Sequence, residues 1–454
     1  MAGISPNIFK EYDIRGRYPS EIDKNAAYRI GRAFVLSQKA KKIVVGRDFR
    51  WESGQAAEEF VRGVLDQGGN VYDLAVNSTP AMFFAVGVRG FDGGAAVTAS
   101  HNPDGYTGFK LCGSNGILIG AKSGLNQIAA LADKLKPRFG RPGKIIKMEI
   151  FADYFRFVNS LVDLSDIRGF KLVLDASSGS GAQLADYIFV RSAAKIIKMN
   201  FRSGDRYPDH GLNPMLAANQ KLACREVKKN QADLGIIWDG DGDRCIFIDE
   251  RGRFVEPYYI NCLIAKIILA RYRRARIAID ARLPVGLAQV ISQAGGRPVI
   301  CRSGYANIVQ LMQRKRILFG CENSGHYFFN FLLSGNNKKN FIFGDAIIPV
   351  LLILQYLGSN NLALSEAVGD FKKTFIISGE INFPIKDFQR LEKSLIRKYR
   401  QYRQERLDGL SVYADKWFFN VRPSHTEPLA RLNIEAVSRP VLRGLKKDLI
   451  KFIH

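Results

Sequence analysis

The chain has 454 residues, of which 46% are apolar and 24% are charged, which excludes a disordered protein and suffices for three or four globular domains. Lysine and arginine outnumber aspartate and glutamate by 67 to 43, so a nucleic-acid partner has to be considered. The basic residues are spread over many predicted helix faces without a nucleic-acid-binding motif, however, which favours solvated surfaces and attraction of a small anionic substrate.

The sequence shows no signal for secretion or for membrane insertion. Residues 1–16 lack the charged and apolar regions of a signal peptide. The apolar stretch 341–358 contains Asp345, Pro349 and Gln355 and is short for a membrane span, so it is predicted to form a buried helix. The six cysteines lack Cys-x-x-Cys spacing and are predicted to be reduced core residues. We therefore expect a cytoplasmic protein without a membrane partner.

One strand and helix pattern recurs three times in chain order, and each copy ends in a polar loop. The first copy has strands at residues 42–46, 71–76 and 94–98 and helices at 53–68 and 81–88. The second has strands at 171–175, 195–200 and 234–238, a helix that ends at 190 and another at 215–231. The third has strands at 276–280, 297–301 and 317–319 and helices at 284–293 and 306–314.

The pattern changes from about residue 373, where strands accompany a basic helix at residues 387–406 and residues 417–421 face residues 429–436 across a turn. The predicted fold class is α/β, with three βαβαβ mixed-sheet domains plus a C-terminal α+β domain around a central cleft. The predicted domain boundaries are 1–148, 149–252, 253–372 and 373–454. Four polar loops would then face one cleft.

The first loop, residues 98–103 (Thr-Ala-Ser-His-Asn-Pro), predicts a nucleophile at a strand end. Small residues precede Ser100 and a proline follows soon after it, so we expect an exposed hydroxyl, with His101 adjacent as a possible proton carrier. The glycine-punctuated loop that follows brings Lys110 close. A turn serine beside a structural histidine is the alternative for such a motif in isolation.

The second loop, residues 239–244 (Asp-Gly-Asp-Gly-Asp-Arg), predicts a cation site. The glycines let the side chains of Asp239, Asp241 and Asp243 converge, and oxygen ligands without His or Cys favour Mg²⁺ or Ca²⁺ over zinc. Arg244 beside them suggests an anionic ligand shared with the cation. An EF-hand is an alternative, but Arg244 stands where that motif needs glycine and the flanks are strand-like. A purely structural acidic turn is the other alternative.

The last loop, residues 422–428 (Arg-Pro-Ser-His-Thr-Glu-Pro), predicts a phosphate site. Arg422, the hydroxyls of Ser424 and Thr426, and backbone N–H groups within a tight turn are phosphate-binding chemistry. An ordinary hairpin turn is the alternative.

Six segments together resemble the α-D-phosphohexomutases of the bacterial phosphomannomutase/phosphoglucomutase type, in the family's order and over essentially the whole chain. They are residues 12–16 (Tyr-Asp-Ile-Arg-Gly), 98–103, 108–110, 239–244, 320–326 (Gly-Cys-Glu-Asn-Ser-Gly-His) and 422–428. The resemblance implies an active form phosphorylated on Ser100, Mg²⁺ held by Asp239, Asp241, Asp243 and the serine phosphate, and a hexose 1,6-bisphosphate intermediate and activator. The four domains would carry, in order, the phosphoserine, metal-binding, sugar-recognition and phosphate-binding loops.

The resemblance also implies roles for individual side chains. Four would assist proton transfer and stabilise the transferring phosphoryl group: Arg15, His101, Lys110 and His326. Two would contact the sugar hydroxyls: Glu322 and Ser324. Three would hold the substrate's resident phosphate: Arg422, Ser424 and Thr426. Arg244 would be a further substrate contact. The implied reaction interconverts hexose 6-phosphate and hexose 1-phosphate.

Three positions bear on the substrate. Tyr305 and Arg282 depart from the family pattern, in which a lysine is expected at the second. Asn323 after Glu322 favours a hexose over a hexosamine, because a glutamine there is typical of phosphoglucosamine mutases. Mannose and glucose both stay open, as do a phosphoglucosamine mutase, a serine-nucleophile, metal-dependent sugar phosphatase and a basic nucleic-acid-binding protein. We expect a phosphosugar-binding enzyme without a nucleic-acid partner, as a monomer or weak homodimer.

Overall fold

The computed structural model describes residues 4–135, 141–202, 210–332, 340–424 and 428–453. The chain divides into two compact units, one formed by Met1–Phe254 with His326–Asn361 and the other by Val255–Gly325 with Leu362–His454. Among the described residues, no helix is both long and apolar enough to cross a membrane, and all six cysteines are free thiols. The four domain boundaries derived from the sequence stay predictions.

The first unit begins with a six-stranded sheet in the order β1-β5-β4-β2-β3-β6. Its strands are β1 (Ile14–Arg17), β2 (Lys42–Arg47), β3 (Asn70–Val76), β4 (Gly93–Val97), β5 (Tyr106–Gly113) and β6 (Ile145–Lys147). Its helices are α1 (Lys24–Gln38), α2 (Trp51–Asp66), α3 (Thr79–Arg89), α4 (Leu125–Asp133) and α5 (Phe151–Leu161). Strand β2 pairs in parallel with both β3 and β4, which confirms the first predicted βαβαβ copy.

The second sheet of this unit repeats the same topology. Its strands are β7 (Lys171–Asp175), β8 (Lys195–Met199), β9 (Leu234–Trp238), β10 (Cys245–Ile248) and the short β11 (Phe254–Val255), and its helices are α6 (Ala182–Phe189) and α7 (Ala217–Asn230). Strand β7 lies in parallel between β8 and β9, and β10 pairs antiparallel with β9. Every residue of β9 is buried, as expected for an apolar parallel strand covered on both faces.

Helices α1 and α2 cross at two glycines. A Cβ added to Gly31 would lie 2.2 Å from the carbonyl oxygen of Phe60, and one added to Gly63 would lie 2.1 Å from that of Tyr28. Both distances are far below van der Waals contact, so the two backbones can approach each other only because these residues lack side chains.

In the second unit, the third copy places β12 (Arg276–Asp280) in parallel between β13 (Arg297–Cys301) and β14 (Phe319–Cys321). Its helices are α8 (Pro257–Arg271), α9 (Val285–Gln293) and α10 (Tyr305–Lys315). The prediction placed the last strand two residues too early. Tyr305, the first residue of α10, is buried.

One predicted helix, residues 341–358, is wrong in its first part. Back in the first unit, β15 (Tyr327–Leu332) pairs antiparallel with β16 (Asn340–Gly344), and only then does α11 (Ile348–Asn360) begin. The Asp345 carboxylate accepts hydrogen bonds of 2.8 Å from the backbone N–H groups of Ile347 and Ile348, and so satisfies donors at the start of the helix. The aromatic and β-branched run before Asp345 forms a strand because it has a partner in β15.

After α12 (Leu364–Ala367) and α13 (Gly369–Thr374), the second unit ends in an antiparallel sheet in the order β17-β22-β21-β20-β19, with β18 paired to β22. The strands are β17 (Ile376–Ile377), β18 (Ile381–Pro384), β19 (Arg403–Glu405), β20 (Leu410–Tyr413), β21 (Trp417–Pro423) and β22 (Leu429–Ala436). The helices are α14 (Phe388–Lys398) and α15 (Arg439–Ile453). This sheet confirms the predicted α+β segment.

The predicted helix 387–406 ends early, at Lys398. The side-chain amide of Gln404 donates hydrogen bonds to the carbonyl oxygens of Ile396 and Tyr399, and these bonds satisfy carbonyl groups that the helix end leaves unpaired. The chain can therefore turn and form β19, so the basic residues are divided between a helix and a strand.

The glycine contact between α1 and α2 generates a prediction on stability. Replacing Gly63 by alanine should lower the free energy of unfolding by about 2 kcal/mol, although alanine is ordinarily the better helix former by about 1 kcal/mol. The matched control is Gly54→Ala in the same helix, where an added Cβ would meet only the Arg47 Nη1 atom at 3.9 Å. That substitution should leave stability unchanged or raise it. Denaturant unfolding of both variants measures the difference, and equal effects would contradict the close crossing.

Candidate functional site

Ser100 lies in a loop whose backbone is held by two buried charged residues. Its φ of +52° is in the left-handed region, which is unusual for a residue other than glycine. The Asp48 carboxylate accepts from the Thr98 hydroxyl and the Ala99 N–H, at 2.8 and 3.2 Å. The guanidinium of Arg50 donates to the carbonyl oxygens of residues 100, 102 and 103, at 2.6 to 2.9 Å. These bonds over-determine the loop and keep the strained conformation of Ser100.

The hydroxyl of Ser100 has two partners. Its Oγ is 3.1 Å from Nδ1 of His101 and donates to Oδ2 of Asp239 at 3.2 Å. Ser100 is only 3% exposed, so the prediction of an exposed hydroxyl is wrong. Burial and the nearby charges of Arg244 and Arg15 lower the pKa of His101 well below its usual range. His101 is therefore neutral at pH 7, and a neutral imidazole can accept a proton from the serine hydroxyl.

The three carboxylates of the 239–243 loop converge as the sequence predicts. Asp239, Asp241 and Asp243 are at most 1% exposed, and one oxygen atom from each lies within 4.8 Å of the others. One of the buried oxygens, Oδ1 of Asp241, has no hydrogen-bond partner among the residues that the structure describes. Converging hard oxygen atoms with an unsatisfied acceptor are the donor set that a divalent cation requires, so the residues fit a metal site.

Cationic side chains surround this triad in the first unit. Nζ of Lys110, on β5, is 2.6 Å from Asp241 and 2.5 Å from Asp243. The Arg244 guanidinium is 2.8 Å from Asp239, and Nε2 of His326 is 3.3 Å from Asp243. The structure thus brings Lys110, Arg244 and His326 to the carboxylates, although they lie far apart in the sequence.

The pKa values of Asp239 and Asp243 are shifted in opposite directions. Burial, together with the charges of Asp243 and Asp241, raises the pKa of Asp239 to about 6, against the opposing effect of Arg244. Burial also acts to raise the pKa of Asp243, but the charges of Lys110 and His326 overcome it and hold that pKa well below its usual range. The triad therefore stays partly anionic at neutral pH.

Arg15 and Thr79 complete the group in the first unit. The Arg15 guanidinium donates to the Ala99 carbonyl and to the Asn102 side chain, both at 2.8 Å, and pairs with Asp13 at 2.5 Å. It therefore lies against the Ser100 loop. The hydroxyl of Thr79, at the start of α3, donates to Oδ2 of Asp241 at 2.7 Å, and its N–H donates to the Asp241 carbonyl at 3.0 Å.

The second unit contains the other predicted residues. Glu322 follows β14, and its Oε1 accepts from the N–H of Gly304 at 2.6 Å. Ser324 donates to its other oxygen at 3.4 Å. The Arg282 guanidinium pairs with Asp280, and one of its nitrogens is 3.9 Å from Glu322. Although burial alone would lower the pKa of Arg282, these carboxylates raise it, so its charge is fixed.

Arg422 is the first residue of the predicted phosphate loop. It is 7% exposed and its Nε has no hydrogen-bond partner in the part of the chain described. Burial and the charge of Arg282 lower its pKa. Arg431, on the neighbouring strand β22, donates to the hydroxyl of Ser424 at 3.2 Å. Thr426 lies outside the described residues.

A glutamate stands among these arginines. Oε1 of Glu380 is 3.2 Å from Arg431, and its Oε2 is 3.7 Å from Arg422 and 3.8 Å from Arg282. The predicted residues Arg422 and Ser424 are thus linked through Glu380 and Arg282 to Glu322 and its neighbour Ser324.

Sequence reasoning missed four residues of this arrangement: Arg50, Thr79, Glu380 and Arg431. Arg50 and Thr79 follow the C-terminal ends of two predicted parallel strands, where ligands collect in α/β sheets, so their positions were a usable signal. Arg431 pairs directly with Arg422 across the two strands, and a predicted hairpin register would have found it. No sequence signal indicated Glu380.

The chain is similar to known proteins over nearly its whole length. It matches the family models of the phosphoglucomutase/phosphomannomutase alpha/beta/alpha domains I, II and III, over residues 6–138, 152–252 and 256–375 respectively. It is 34% identical to a phosphomannomutase of Vibrio cholerae, with 98% of both chains covered. It is 33% identical to a phosphomannomutase of Methanocaldococcus jannaschii, with 98% of this chain and 97% of that one covered.

A solved structure gives the same result. A phosphoglucomutase/phosphomannomutase family protein of Burkholderia thailandensis superposes with a TM-score of 0.87 at 26% identity, with 99% of this chain and 97% of that chain covered. The family's motifs, its three domain models and its fold therefore agree with one another. The chain belongs to the phosphoglucomutase/phosphomannomutase family, the α-D-phosphohexomutases.

Proposed function

We propose that this phosphohexomutase interconverts hexose 6-phosphate and hexose 1-phosphate through a phosphorylated Ser100, with mannose or glucose as the hexose. The observation that supports this mechanism best is the position of the Ser100 hydroxyl, 3.1 Å from the neutral His101 and 3.2 Å from Asp239 of a buried carboxylate triad. Hydrogen bonds thus join the proposed nucleophile, Ser100, to a base, His101, and to a carboxylate of the proposed metal site, Asp239.

The metal proposed for this site is Mg²⁺, held by Asp239, Asp241, Asp243 and the serine phosphate. Bound there, it supplies the charge neutralisation that phosphoryl transfer needs. The carboxylates provide hard oxygen ligands, and Thr79 fixes the orientation of Asp241 through its hydroxyl and its N–H. Lys110 already contacts two of the three carboxylates, so it is placed to balance their charge.

In the forward half-reaction, the bond between the phosphoryl group and Oγ of Ser100 breaks while a hexose hydroxyl forms the new bond to phosphorus. The proton of the hexose hydroxyl passes to a basic side chain of the site, and the serine oxygen takes up a proton from Nδ1 of His101, the reverse of the transfer in the return half-reaction. In the return half-reaction, Ser100 accepts the other phosphoryl group of hexose 1,6-bisphosphate and passes its own proton to Nδ1 of His101. Arg15, Arg244 and His326 contribute positive charge or hydrogen bonds around the transferring group.

The residues of the second unit hold the rest of the substrate in this proposal. The phosphate that is not reacting is held by Arg422, Ser424 and the neighbouring Arg431, which form the phosphate clamp, together with Thr426. Glu322 accepts hydrogen bonds from sugar hydroxyls, and Ser324 accepts them or donates them. Because the bisphosphate has a phosphate at each end, it can reverse between the half-reactions and use the same clamp twice.

A coupled assay tests the proposal as a whole. The enzyme, primed with a hexose 1,6-bisphosphate, should convert mannose 1-phosphate or glucose 1-phosphate to the 6-phosphate. Comparison of the two sugars, and of glucosamine 1-phosphate, settles the preferred substrate. Release of inorganic phosphate without formation of an isomer would instead identify a serine-nucleophile sugar phosphatase.

Ser100→Ala should abolish turnover, because the hydroxyl carries the phosphoryl group. Intact-mass analysis of active enzyme should show one phosphate that the variant lacks. Ser160, which is exposed on α5 and bonds only within its own helix turn in the contacts described, offers a control: Ser160→Ala should keep both activity and phosphate. Near-normal turnover by Ser100→Ala would contradict the mechanism.

Chelation should stop turnover and Mg²⁺ should restore it, whereas the melting temperature should hardly change. The physical reason is that Lys110, Arg244 and His326 already contact the three carboxylates in the structure, so folding does not depend on a bound cation. Activity and thermal unfolding are measured on the same chelated sample. Unfolding upon chelation would mean that the site is structural.

Arg422→Ala should weaken binding of hexose phosphate by roughly a hundredfold, because a charge-assisted contact to a partly buried phosphate is worth about 2 to 3 kcal/mol. Released bisphosphate should also accumulate, since it dissociates before it reverses. The phosphate on Ser100 should be unaffected. Arg403→Ala, which removes an exposed arginine paired with Glu405, is the control. KM and the concentration of free bisphosphate during turnover are measured for both variants. Unchanged values for Arg422→Ala would mean that residues 422–428 form only a hairpin turn.

A further inference from the structure

The second unit holds a glutamate at the centre of its arginine group. Glu380 lies in the turn between β17 and β18 and contacts Arg282, Arg422 and Arg431, which come from three different segments of the chain. Its side chain is 28% exposed, whereas those of Arg282 and Arg422 are at most 10% exposed. Glu380 is therefore the most accessible anion among guanidinium groups that are mostly buried.

The contacts of Glu380 are incomplete. Among the described residues, only Arg431 is within hydrogen-bond distance of the Glu380 carboxylate, at 3.2 Å, and the nearest approaches to Arg422 and Arg282 are 3.7 and 3.8 Å. A well-formed bond between a guanidinium and a carboxylate is about 2.7 to 2.9 Å long. The buried Nε of Arg422 has no hydrogen-bond partner in the described part of the chain. Glu380 therefore neutralises Arg422 without satisfying its Nε donor.

A phosphate monoester would satisfy this group better than a carboxylate can. It has three terminal oxygens instead of two, and a charge near −2 instead of −1 at neutral pH. Burial and the charge of Arg282 already disfavour the charged form of Arg422, so the group gains from any additional negative charge. A phosphate and Glu380 cannot both neutralise the same cations without repelling each other.

We propose that Glu380 is an internal counterion that takes the place of the substrate's phosphate in the free enzyme and competes with it for Arg422 and Arg282. This inference rests on the proposed function, because it concerns the clamp for the non-reacting phosphate. In this inference, Glu380 lowers the affinity of the clamp for phosphate. A weaker clamp lets the bisphosphate leave the arginines and reverse, which the reaction requires once in every cycle.

The test compares Glu380→Gln with the wild-type enzyme, using inorganic phosphate as the probe in titration calorimetry. The variant keeps the size and hydrogen-bonding capacity of the side chain and removes its charge, so it should bind phosphate on the order of tenfold more tightly. Without phosphate it should melt at a lower temperature than the wild type, because Arg422 and Arg431 lose a carboxylate that contacts them. With saturating phosphate the increase in its melting temperature should be the larger of the two.

The matched control is Glu405→Gln, which removes another glutamate paired with an arginine, Arg403, in the same unit. It should leave phosphate binding unchanged. Glu380→Asp provides a second variant if the glutamine variant folds poorly: its carboxylate is one methylene further back, so its phosphate affinity should also exceed that of the wild type. In turnover, Glu380→Gln should show a lower KM and a lower kcat, because the bisphosphate leaves the clamp more slowly.

Phosphate affinity that is unchanged or reduced in Glu380→Gln would overturn the inference, since Glu380 would then be a neutral neighbour or a support that orients the arginines. Absence of phosphate binding by both proteins would overturn it as well. A failure of the proposed function is distinguishable, because it would appear as a wild-type enzyme that produces no isomer, whatever the two phosphate affinities are.

Discussion

Three buried carboxylates placed within one short loop impose the constraint on which the first unit depends. Asp239, Asp241 and Asp243 would repel one another strongly in a low-dielectric interior. The fold answers with basic side chains from β5, from the loop itself and from the residue just before β15, namely Lys110, Arg244 and His326. The same electrostatic requirement therefore brings distant parts of the chain together and leaves acceptor atoms for a metal ion.

The second unit solves the opposite problem. There three cations, Arg282, Arg422 and Arg431, lie close enough to share one glutamate. Each unit thus holds side chains whose charge is opposite to that of its proposed ligand. They are carboxylates for a metal cation in the first unit and arginines for a phosphate in the second. In both, a side chain of the protein provides partial neutralisation: Lys110 in one and Glu380 in the other.

Ser100, the proposed nucleophile, is held by a different kind of constraint. Ser100 has a left-handed backbone conformation, which costs on the order of 1 kcal/mol or more for a residue with a side chain. Arg50 and Asp48 offset this cost with several hydrogen bonds to the loop, and both are buried. A rigid loop fixes the distance between the serine hydroxyl and His101, and fixed geometry is what a proton transfer over one hydrogen bond requires.

The sequence by itself determined the three βαβαβ copies, the antiparallel C-terminal sheet and the converging triad, because hydrophobic periodicity and glycine spacing are local properties. It was wrong about residues 341–358 and 387–406, where a partner strand and the Gln404 side chain override helix propensity. It was also wrong about the exposure of Ser100. Only the tertiary structure decided the burial of Ser100 and the position of Glu380, because the partners of a buried charge come from segments that no local pattern connects.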